Sequence, residues 1–233
     1  MTEMLRLREV GKSFTLHVQG GVEIPVFVNL DLTVSAGECV ALLGPSGAGK
    51  STLMRMIYGN YTCPRGEILV RHGDEWVDMS TCGPHRVLGV RRQTMGYVSQ
   101  FLRVVPRVPT LTVVAEPLLE TGVAPAEAEA RAAALLTRLN IPEHLWTLSP
   151  MTFSGGEQQR VNIARGFALP RPIMLLDEPT ASLDPANRQV VLDLVAEARA
   201  NGAAVVGIFH DADARAALAT REFDTTVFSK DAA

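Results

Sequence analysis

The first part of the chain contains three short segments in which hydrophobic residues alternate with polar ones or form brief apolar runs between turn signals. These segments are LRLREV from Leu5, VFVNLDLTV from Val26 and ECVALLG from Glu38. Alternation with a period of two and short apolar runs are typical of β-strands. We therefore predict three strands, the third of which ends in a glycine-rich loop. Helix-like spacing of apolar residues follows in STLMRMIYG, so the predicted order there is strand, loop, helix.

A change of pattern marks the middle of the chain, from about residue 101 to residue 162. Strand-like runs are absent there, and VVAEPLLETG and PAEAEARAAALLTRLN have helical spacing, the second with Pro125 in the first turn. Strand signals return in PIMLLD and AAVVGIF, each beside a helical stretch. This alternation predicts an α/β domain with a largely parallel sheet, interrupted by a helical insertion.

Composition narrows the class of protein. With 233 residues, of which 47% are hydrophobic, the chain is long and apolar enough for one domain with its own core. A net charge of -3 gives no basic excess, so we predict no nucleic-acid partner. The charged N-terminal segment does not resemble a signal peptide, and no apolar run approaches the roughly 20 residues of a membrane span. We expect a cytoplasmic protein that reaches a membrane only through partners.

Three cysteines, Cys39, Cys63 and Cys82, are too irregularly spaced to predict a metal cluster. Reduced thiols in a cytosolic protein are the simpler interpretation.

The glycine-rich loop carries the clearest chemical signal. Residues 44 to 51 fit GxxxxGK[ST], the pattern whose backbone N–H groups surround phosphate oxygens at the start of a helix. Lys50 is predicted to contact the β- and γ-phosphates and the Ser51 hydroxyl to bind Mg²⁺. The residues predicted to bind the nucleotide here are Gly44, Pro45, Ser46, Gly47, Ala48, Gly49, Lys50, Ser51 and Thr52.

An acidic pair ends the apolar segment IMLLDE. Asp177 is the predicted Mg²⁺ ligand that a phosphate-binding loop requires. Adjacent strand residues face opposite ways, so Glu178 is predicted to point elsewhere and to act as a general base for water. Taken alone, such a pair is more often an ordinary strand end. The phosphate-binding loop at residues 44 to 51 makes the metal-binding interpretation the better one.

A second glycine-containing segment, FSGGEQQR from Phe153, opens another predicted helix. Ser154 and Glu157 have the spacing of a capping box, so the segment fits a well-capped helix. Its serine, the N–H groups of Gly155 and Gly156 and the helix dipole also suit an anion. Both interpretations remain open from these residues alone.

This segment resembles the signature motif of ABC ATPases, usually LSGGQ, with Phe153 and Glu157 as departures. The resemblance covers nearly the whole chain and implies a P-loop NTPase fold of the ABC nucleotide-binding type. The expected architecture is a mixed sheet core with an antiparallel β subdomain, formed by residues 1–100 and 163–233. A helical subdomain with the signature motif occupies residues 101–162. All of residues 1–233 would form one ATP-binding domain.

The resemblance also implies roles for individual residues. Gln100 would sense Mg²⁺ and water, and His210 would contact the γ-phosphate. Asp184 lies in the expected D-loop, where it would face the nucleotide. Phe14 matches the aromatic residue that stacks on adenine, although a core or edge residue explains Phe14 nearly as well. Glu178, His210 and Gln100 are therefore the predicted catalytic residues, with ATP and Mg²⁺ as cofactors.

Pairing follows from the same resemblance, because one phosphate-binding loop leaves the far side of the γ-phosphate without charge stabilisation. Ser154, Gly155, Gly156, Glu157 and Asp184 of a second subunit, identical or related, would close over it. ATP would then hold a head-to-tail dimer together, and hydrolysis would open it.

Segments outside the shared motifs resemble ATPase subunits of the phosphonate C-P lyase system. They are residues 72–78 (HGDEWVD), VSQFLRV from Val98, LLTRLN from Leu135, TFSGGEQQRVNIARGF from Thr152 and GIFHD from Gly207. This implies a partner in the C-P lyase core complex and a part in forming α-D-ribose 1-methylphosphonate 5-triphosphate. The alternative is the ATP-binding subunit of a membrane transporter of the lipoprotein-release or export type. The intact acidic pair and the charge balance disfavour a third class, a non-catalytic clamp or DNA-repair ATPase.

Overall fold

The computed structural model describes residues 2–16 and 21–228, and this part of the chain forms two sheets flanked by helices. The strands are β1 Glu3–Leu16, β2 Val22–Ser35, β3 Cys39–Leu43, β4 Arg65–His72, β5 Glu75–Asp78, β6 Met95–Val98, β7 Ile173–Asp177, β8 Ala204–Ile208 and β9 Arg221–Asp224. The helices are α1 Lys50–Ile57, α2 Pro84–Gln93, α3 Thr110–Leu119, α4 Pro125–Arg138, α5 Gly155–Phe167, α6 Pro185–Ala200 and α7 Ala212–Leu218.

The first sheet is antiparallel and has the strand order β2-β1-β4-β5. In β1, Leu5 and Leu7 pair with Val34 and Leu32 of β2, so apolar side chains from both strands meet on one face. All four side chains are buried, at 3% exposure or less. Removing this apolar surface from water is what stabilises the face against the second sheet. The alternation seen in the sequence therefore predicted β1 and β2 of this sheet correctly.

The second sheet has the strand order β6-β7-β8-β3-β9, and every pairing in it is parallel. All residues of β7 and β8 are buried, as expected for strands covered by helices on both faces. The alternation of strands and helices predicts a largely parallel sheet, and the resemblance to ABC ATPases implies a mixed sheet core. In the structure the two pairing types are separated, because connections through helices return each core strand in the same direction, whereas short turns allow the antiparallel pairs.

Helices α3, α4 and α5 lie between β6 and β7 and form the predicted helical insertion. Pro125 occupies the first turn of α4, as predicted. Ala128, Ala132 and Leu136 repeat every four residues along α4 and are fully buried in the apolar core shared with α3 and α5. Helix α5 is continuous across residue 162, so it extends from the predicted insertion into the predicted core.

The carboxyl ends of the parallel strands lie at one edge of the core sheet, where ligands bind in open α/β folds. Strand β3 ends at the glycine-rich loop, β6 ends just before Gln100, β7 ends with Asp177, and β8 ends just before His210. The fold therefore brings together four segments that are far apart in sequence. Within residues 2–16 and 21–228, no helix has the combination of length and hydropathy that a membrane crossing requires.

Candidate nucleotide-binding site

The loop between β3 and α1 has a backbone that depends on glycine. Gly44, Gly47 and Gly49 have φ angles of 136°, 85° and 84°, in the region that side chains disfavour. A Cβ on Gly49 would also lie 2.4 Å from Cγ1 of Val26, so the neighbouring strand leaves no room for one. Helix α1 begins immediately afterwards at Lys50. Its N-terminal N–H groups and dipole make the loop a favourable place for phosphate.

Lys50 is folded over this loop and is only 8% exposed. Its Nζ donates hydrogen bonds to the carbonyl oxygens of Gly44, at 2.7 Å, and Pro45, at 2.8 Å. The ammonium group is thus held against the backbone that would surround the phosphates. This position agrees with its predicted role as a phosphate contact.

Asp177 is 2% exposed at the end of β7. The Ser51 hydroxyl donates to its Oδ1 at 3.2 Å, and the Tyr97 hydroxyl donates to its Oδ2 at 3.2 Å. Burial raises the pKa of the Asp177 carboxyl, and the two hydrogen bonds oppose that effect. A carboxylate beside a hydroxyl is an oxygen donor set of the kind that Mg²⁺ prefers. The residues present therefore fit the predicted metal, and the roles of Ser51, Asp177 and Gln100 as its ligands stay a prediction.

Glu178 bonds other groups than Asp177 does, and alternation along a strand is not the whole reason for this. Strand β7 has ended, and Glu178 has a left-handed backbone with φ of 54°. Its Oε2 accepts a hydrogen bond from Nε2 of Gln100 at 3.3 Å, and its Oε1 lies 2.7 Å from Nε2 of His210. The structure thus brings together the three residues predicted to act in catalysis.

Two side chains of α5 hold this cluster in place and were not found in the sequence. Gln159 is 6% exposed, and its Nε2 donates to the carbonyl oxygens of Glu178, at 3.3 Å, and Pro179, at 3.4 Å. Asn162 donates through Nδ2 to the carbonyl oxygen of Ser99, next to Gln100. The helix that carries the signature motif is therefore bonded to the backbone on both sides of the cluster.

Thr225 is a third residue that sequence reasoning missed. It is fully buried, and its hydroxyl donates to the carbonyl oxygens of Leu43, at 2.8 Å, and Ala48, at 3.3 Å. These contacts join the two sides of the phosphate-binding loop. In the sequence, Thr225 is a threonine after a short polar stretch, and that pattern does not predict a role in the phosphate-binding loop.

At the start of α5, Ser154 forms the capping box with Glu157. The Glu157 N–H donates to the Ser154 hydroxyl oxygen at 3.4 Å, and the Ser154 backbone N–H donates to Oε2 of Glu157 at 2.9 Å. The Ser154 hydroxyl also donates to that oxygen at 2.7 Å, and this bond lowers the pKa of the Glu157 carboxyl. The capping interpretation is confirmed. The anion-binding role of Ser154, Gly155, Gly156 and Glu157 stays a prediction.

The contacts of Asp184 and Phe14 do not indicate a role toward nucleotide. Asp184 is the N-cap of α6, accepting a hydrogen bond from the Asn187 N–H at 3.0 Å. Phe14 is half-buried, with its ring edge-on to that of Tyr61 at 5.7 Å between centroids and with Lys12 Nζ 5.1 Å from its centroid. Capping and core packing account for these contacts, so the roles of both residues toward nucleotide stay predictions.

A family model described as ABC transporter matches residues 27–181, which is more than half of the chain. The chain belongs to this family. It is an ABC ATPase nucleotide-binding subunit, and ATP is its nucleotide.

Relatives extend the similarity over nearly the whole length. The uncharacterized ABC transporter ATP-binding protein YvrO of Bacillus subtilis is 32% identical and covers 98% of this chain and 94% of its own length. The lipoprotein-releasing system ATP-binding protein LolD of Novosphingobium aromaticivorans is 40% identical over 82% of this chain and 81% of its own. The macrolide export ATP-binding/permease protein MacB of Marinobacter nauticus is 35% identical over 90% of this chain, which spans 31% of MacB.

Solved structures show the same fold. The bacterial ABC transporter cassette MJ0796, described as dimeric, superposes with a TM-score of 0.85 at 28% identity, covering 96% of this chain and 95% of its own. A post-hydrolysis state of MJ0796 with bound ADP and Pi gives the same values. The predicted fold class is therefore confirmed.

The finer prediction, a close resemblance to the C-P lyase protein PhnL, gains no support from these proteins. The relatives that name a process, LolD and MacB, name release or export.

Proposed function

We propose that this chain hydrolyses MgATP as one of two head-to-tail ABC subunits and thereby drives a separate membrane permease of the export or lipoprotein-release type. The observation that carries the ATPase part is the cluster of Gln100, Glu178 and His210 at the sheet edge that also holds Lys50 and Asp177. Five groups suited to triphosphate hydrolysis, contributed by four separate segments, rarely converge by chance.

In this proposal the glycine loop and Lys50 hold the triphosphate, and Mg²⁺, when bound, neutralises developing phosphate charge. Glu178 orients the attacking water and accepts its proton. Gln100 and His210 each hold one oxygen of that carboxylate, which keeps it directed at one place instead of rotating freely. The backbone bonds from Gln159 fix the turn that carries it.

In this proposal the second subunit supplies the contacts on the far side of the γ-phosphate that one chain lacks. Ser154 and Glu157 are bonded to each other at an exposed helix start, where the open N–H groups of Gly155 and Gly156 can meet a partner's nucleotide. Asp184 would join them from the D-loop. Support for pairing comes from MJ0796, whose cassette is dimeric.

The permease is proposed from the relatives and from one surface. LolD is named as an ATP-binding protein of a releasing system, and MacB is named as both ATP-binding and permease. In this chain, the segment after Gln100 exposes Phe101 by 72% and Val105 by 68%. Large apolar side chains so exposed beside a catalytic cluster suit a protein partner.

A C-P lyase partner is the second candidate, favoured by a different observation. The HGDEWVD segment forms the turn of the β4–β5 hairpin and its second strand. Trp76 lies between two guanidinium groups there, with Arg6 at 5.0 Å and Arg71 at 5.9 Å from its ring. The hairpin thus places an aromatic ring beside two arginines, in a segment that also contains Asp74, Glu75 and Asp78. The ATPase chemistry does not require it, and it carries part of the resemblance to the phosphonate system.

Affinity purification from the native host in mild detergent separates the two partners. We expect an integral membrane permease to copurify with the parent chain and to be lost when Phe101 and Val105 are both changed to Asp. Val22→Asp is the control, because Val22 is an apolar residue that is 54% exposed on the other sheet. This variant should retain the permease. Recovery of soluble C-P lyase subunits without a permease would overturn the transporter proposal and support the second candidate.

A further inference from the structure

Tyr97 makes a contact that the roles described above do not use. It lies in β6, three residues before Gln100, and its hydroxyl donates to Oδ2 of Asp177 at 3.2 Å. The other oxygen of the same carboxylate, Oδ1, accepts from the Ser51 hydroxyl at 3.2 Å. The two donors therefore bind the two oxygens from different elements, α1 and β6. Because Asp177 is 2% exposed, water has little access to replace either donor.

The Tyr97 ring is itself held in position. It packs against the ring of Tyr58 at 5.0 Å between centroids, with a tilt of 47°. Arg55, one turn before Tyr58 in chain order, donates to the Tyr61 hydroxyl at 3.0 Å. Together with Gln100 and Asp177, these side chains line a cavity of about 470 Å³. An Asp177 side chain without the Tyr97 bond could turn toward this space.

We propose that Tyr97 is a positioning residue for the metal site, fixing the plane of the Asp177 carboxylate so that Oδ1 stays beside Ser51. The inference rests on the proposed MgATP function. Groups that hydrogen-bond a metal-binding carboxylate orient it and tune its affinity for the ion. If the Tyr97 hydroxyl bonded Asp177 only because a buried hydroxyl needs a hydrogen-bond partner, the contact would be the same. Its removal would then have no effect on metal affinity.

Tyr97→Phe removes the hydroxyl and keeps the ring. We expect the Mg²⁺ concentration that half-saturates ATP-dependent metal binding to rise about tenfold. This is the lower end of the loss of metal affinity that follows when a group bonded to a metal ligand is removed. ATP affinity measured in EDTA should be unchanged, which also shows that the variant is folded. Metal binding is read by titrating Mn²⁺ and following its electron paramagnetic resonance signal with a non-hydrolysable ATP analogue.

Tyr58→Phe is the matched control, because within the described residues the Tyr58 hydroxyl has no hydrogen-bond partner. It should leave both affinities as in the parent chain. Unchanged metal affinity in Tyr97→Phe, or an equal loss in Tyr58→Phe, would overturn the positioning role. If the parent chain itself binds nucleotide without any dependence on the metal, the proposed function fails instead, so the two failures are distinguishable.

Discussion

Lys50 and Asp177 lie below the surface beside the glycine-rich loop, whereas Ser154 and Glu157 lie at an accessible helix start. The first pair is supported from far away in the chain: Thr225 bridges the loop, and the acidic segment is tied to α5 through Gln159. The second pair is supported locally, because Ser154 and Glu157 bond each other in a capping box that spans four residues.

This difference indicates that one half of the site serves nucleotide binding and hydrolysis, and that the other serves pairing with a second subunit. Long-range bonds to buried groups fix the phosphate-binding half before any nucleotide arrives, which lowers the reorganisation needed during reaction. A local cap keeps the signature helix intact while leaving its outer face free for another subunit. Changes in the first half should therefore alter binding and hydrolysis directly, and changes in the second should act mainly on pairing.

The largest effect is expected from Glu178→Gln. Removing the proton acceptor should lower ATP turnover by roughly 10²–10³-fold, while Gln can still accept hydrogen bonds and MgATP still binds. Because the nucleotide is no longer consumed, the variant should accumulate as an ATP-held dimer in sedimentation experiments. Phosphate release measures the turnover.

Glu129→Gln, on the exposed face of α4, makes the same chemical change and should leave both properties unaltered. Unchanged phosphate release by Glu178→Gln would show that another group accepts the proton.

A smaller effect is expected from Lys50→Ala. Loss of the ammonium removes a charge-assisted contact to phosphate, which should weaken ATP binding by about 10- to 100-fold. Calorimetric titration with ATP measures this. Arg131→Ala removes one positive charge from the exposed ion pair with Glu127 and is the control. Equal affinities for both variants would remove Lys50 from the phosphate site.

The smallest effect is expected from Glu157→Gln. Hydrogen bonds from Ser154 lower the pKa of the Glu157 carboxyl, so its ionised form stabilises the fold above the unfolded pKa. At pH 7 the variant should be less stable by about 0.5 kcal/mol, as for one acid at an exposed helix start. The difference should shrink as the pH falls through the lowered folded-state pKa of Glu157, below which both states of the parent are protonated.

Urea unfolding of the two chains at several pH values tests this, with Glu129→Gln as the charge control. A stability difference that is as large at pH 3 as at pH 7 would contradict the role of the ionised carboxylate.

The comparison also shows where sequence reasoning succeeds. The glycine loop, the acidic pair, Gln100 and His210 each follow a strand, and the parallel sheet brings their ends to one edge. Position relative to strands was therefore enough to predict that the loop and the acidic pair meet, whereas Gln100 and His210 were singled out only by the resemblance to ABC ATPases. Asp177 and Glu178 bond different groups, but the left-handed backbone of Glu178 could not be foreseen, because a non-glycine residue there gives no local signal.

The missed residues share a different property. Gln159, Asn162 and Thr225 act on backbone carbonyl oxygens of other segments. A carbonyl exists at every position, so no pairing of residue types reveals such a contact. Tyr97 was hidden for a related reason: in the sequence it is one more aromatic residue of an apolar strand. The identity of the partner is less predictable still, since the ATP chemistry is shared by transporters and the phosphonate system.

The placement of β3 has a consequence for synthesis on the ribosome. This strand, which leads into the glycine loop, pairs on its two sides with β8 and β9, and the Cys39 N–H bonds the Thr220 hydroxyl across 181 residues of sequence. The loop is made early but cannot gain these neighbours until the segment that forms β8 and β9, residues 204–224, has been synthesised. A nascent chain should therefore acquire ATP affinity late and abruptly, and until then β3 is a hydrophobic segment that chaperones would have to protect.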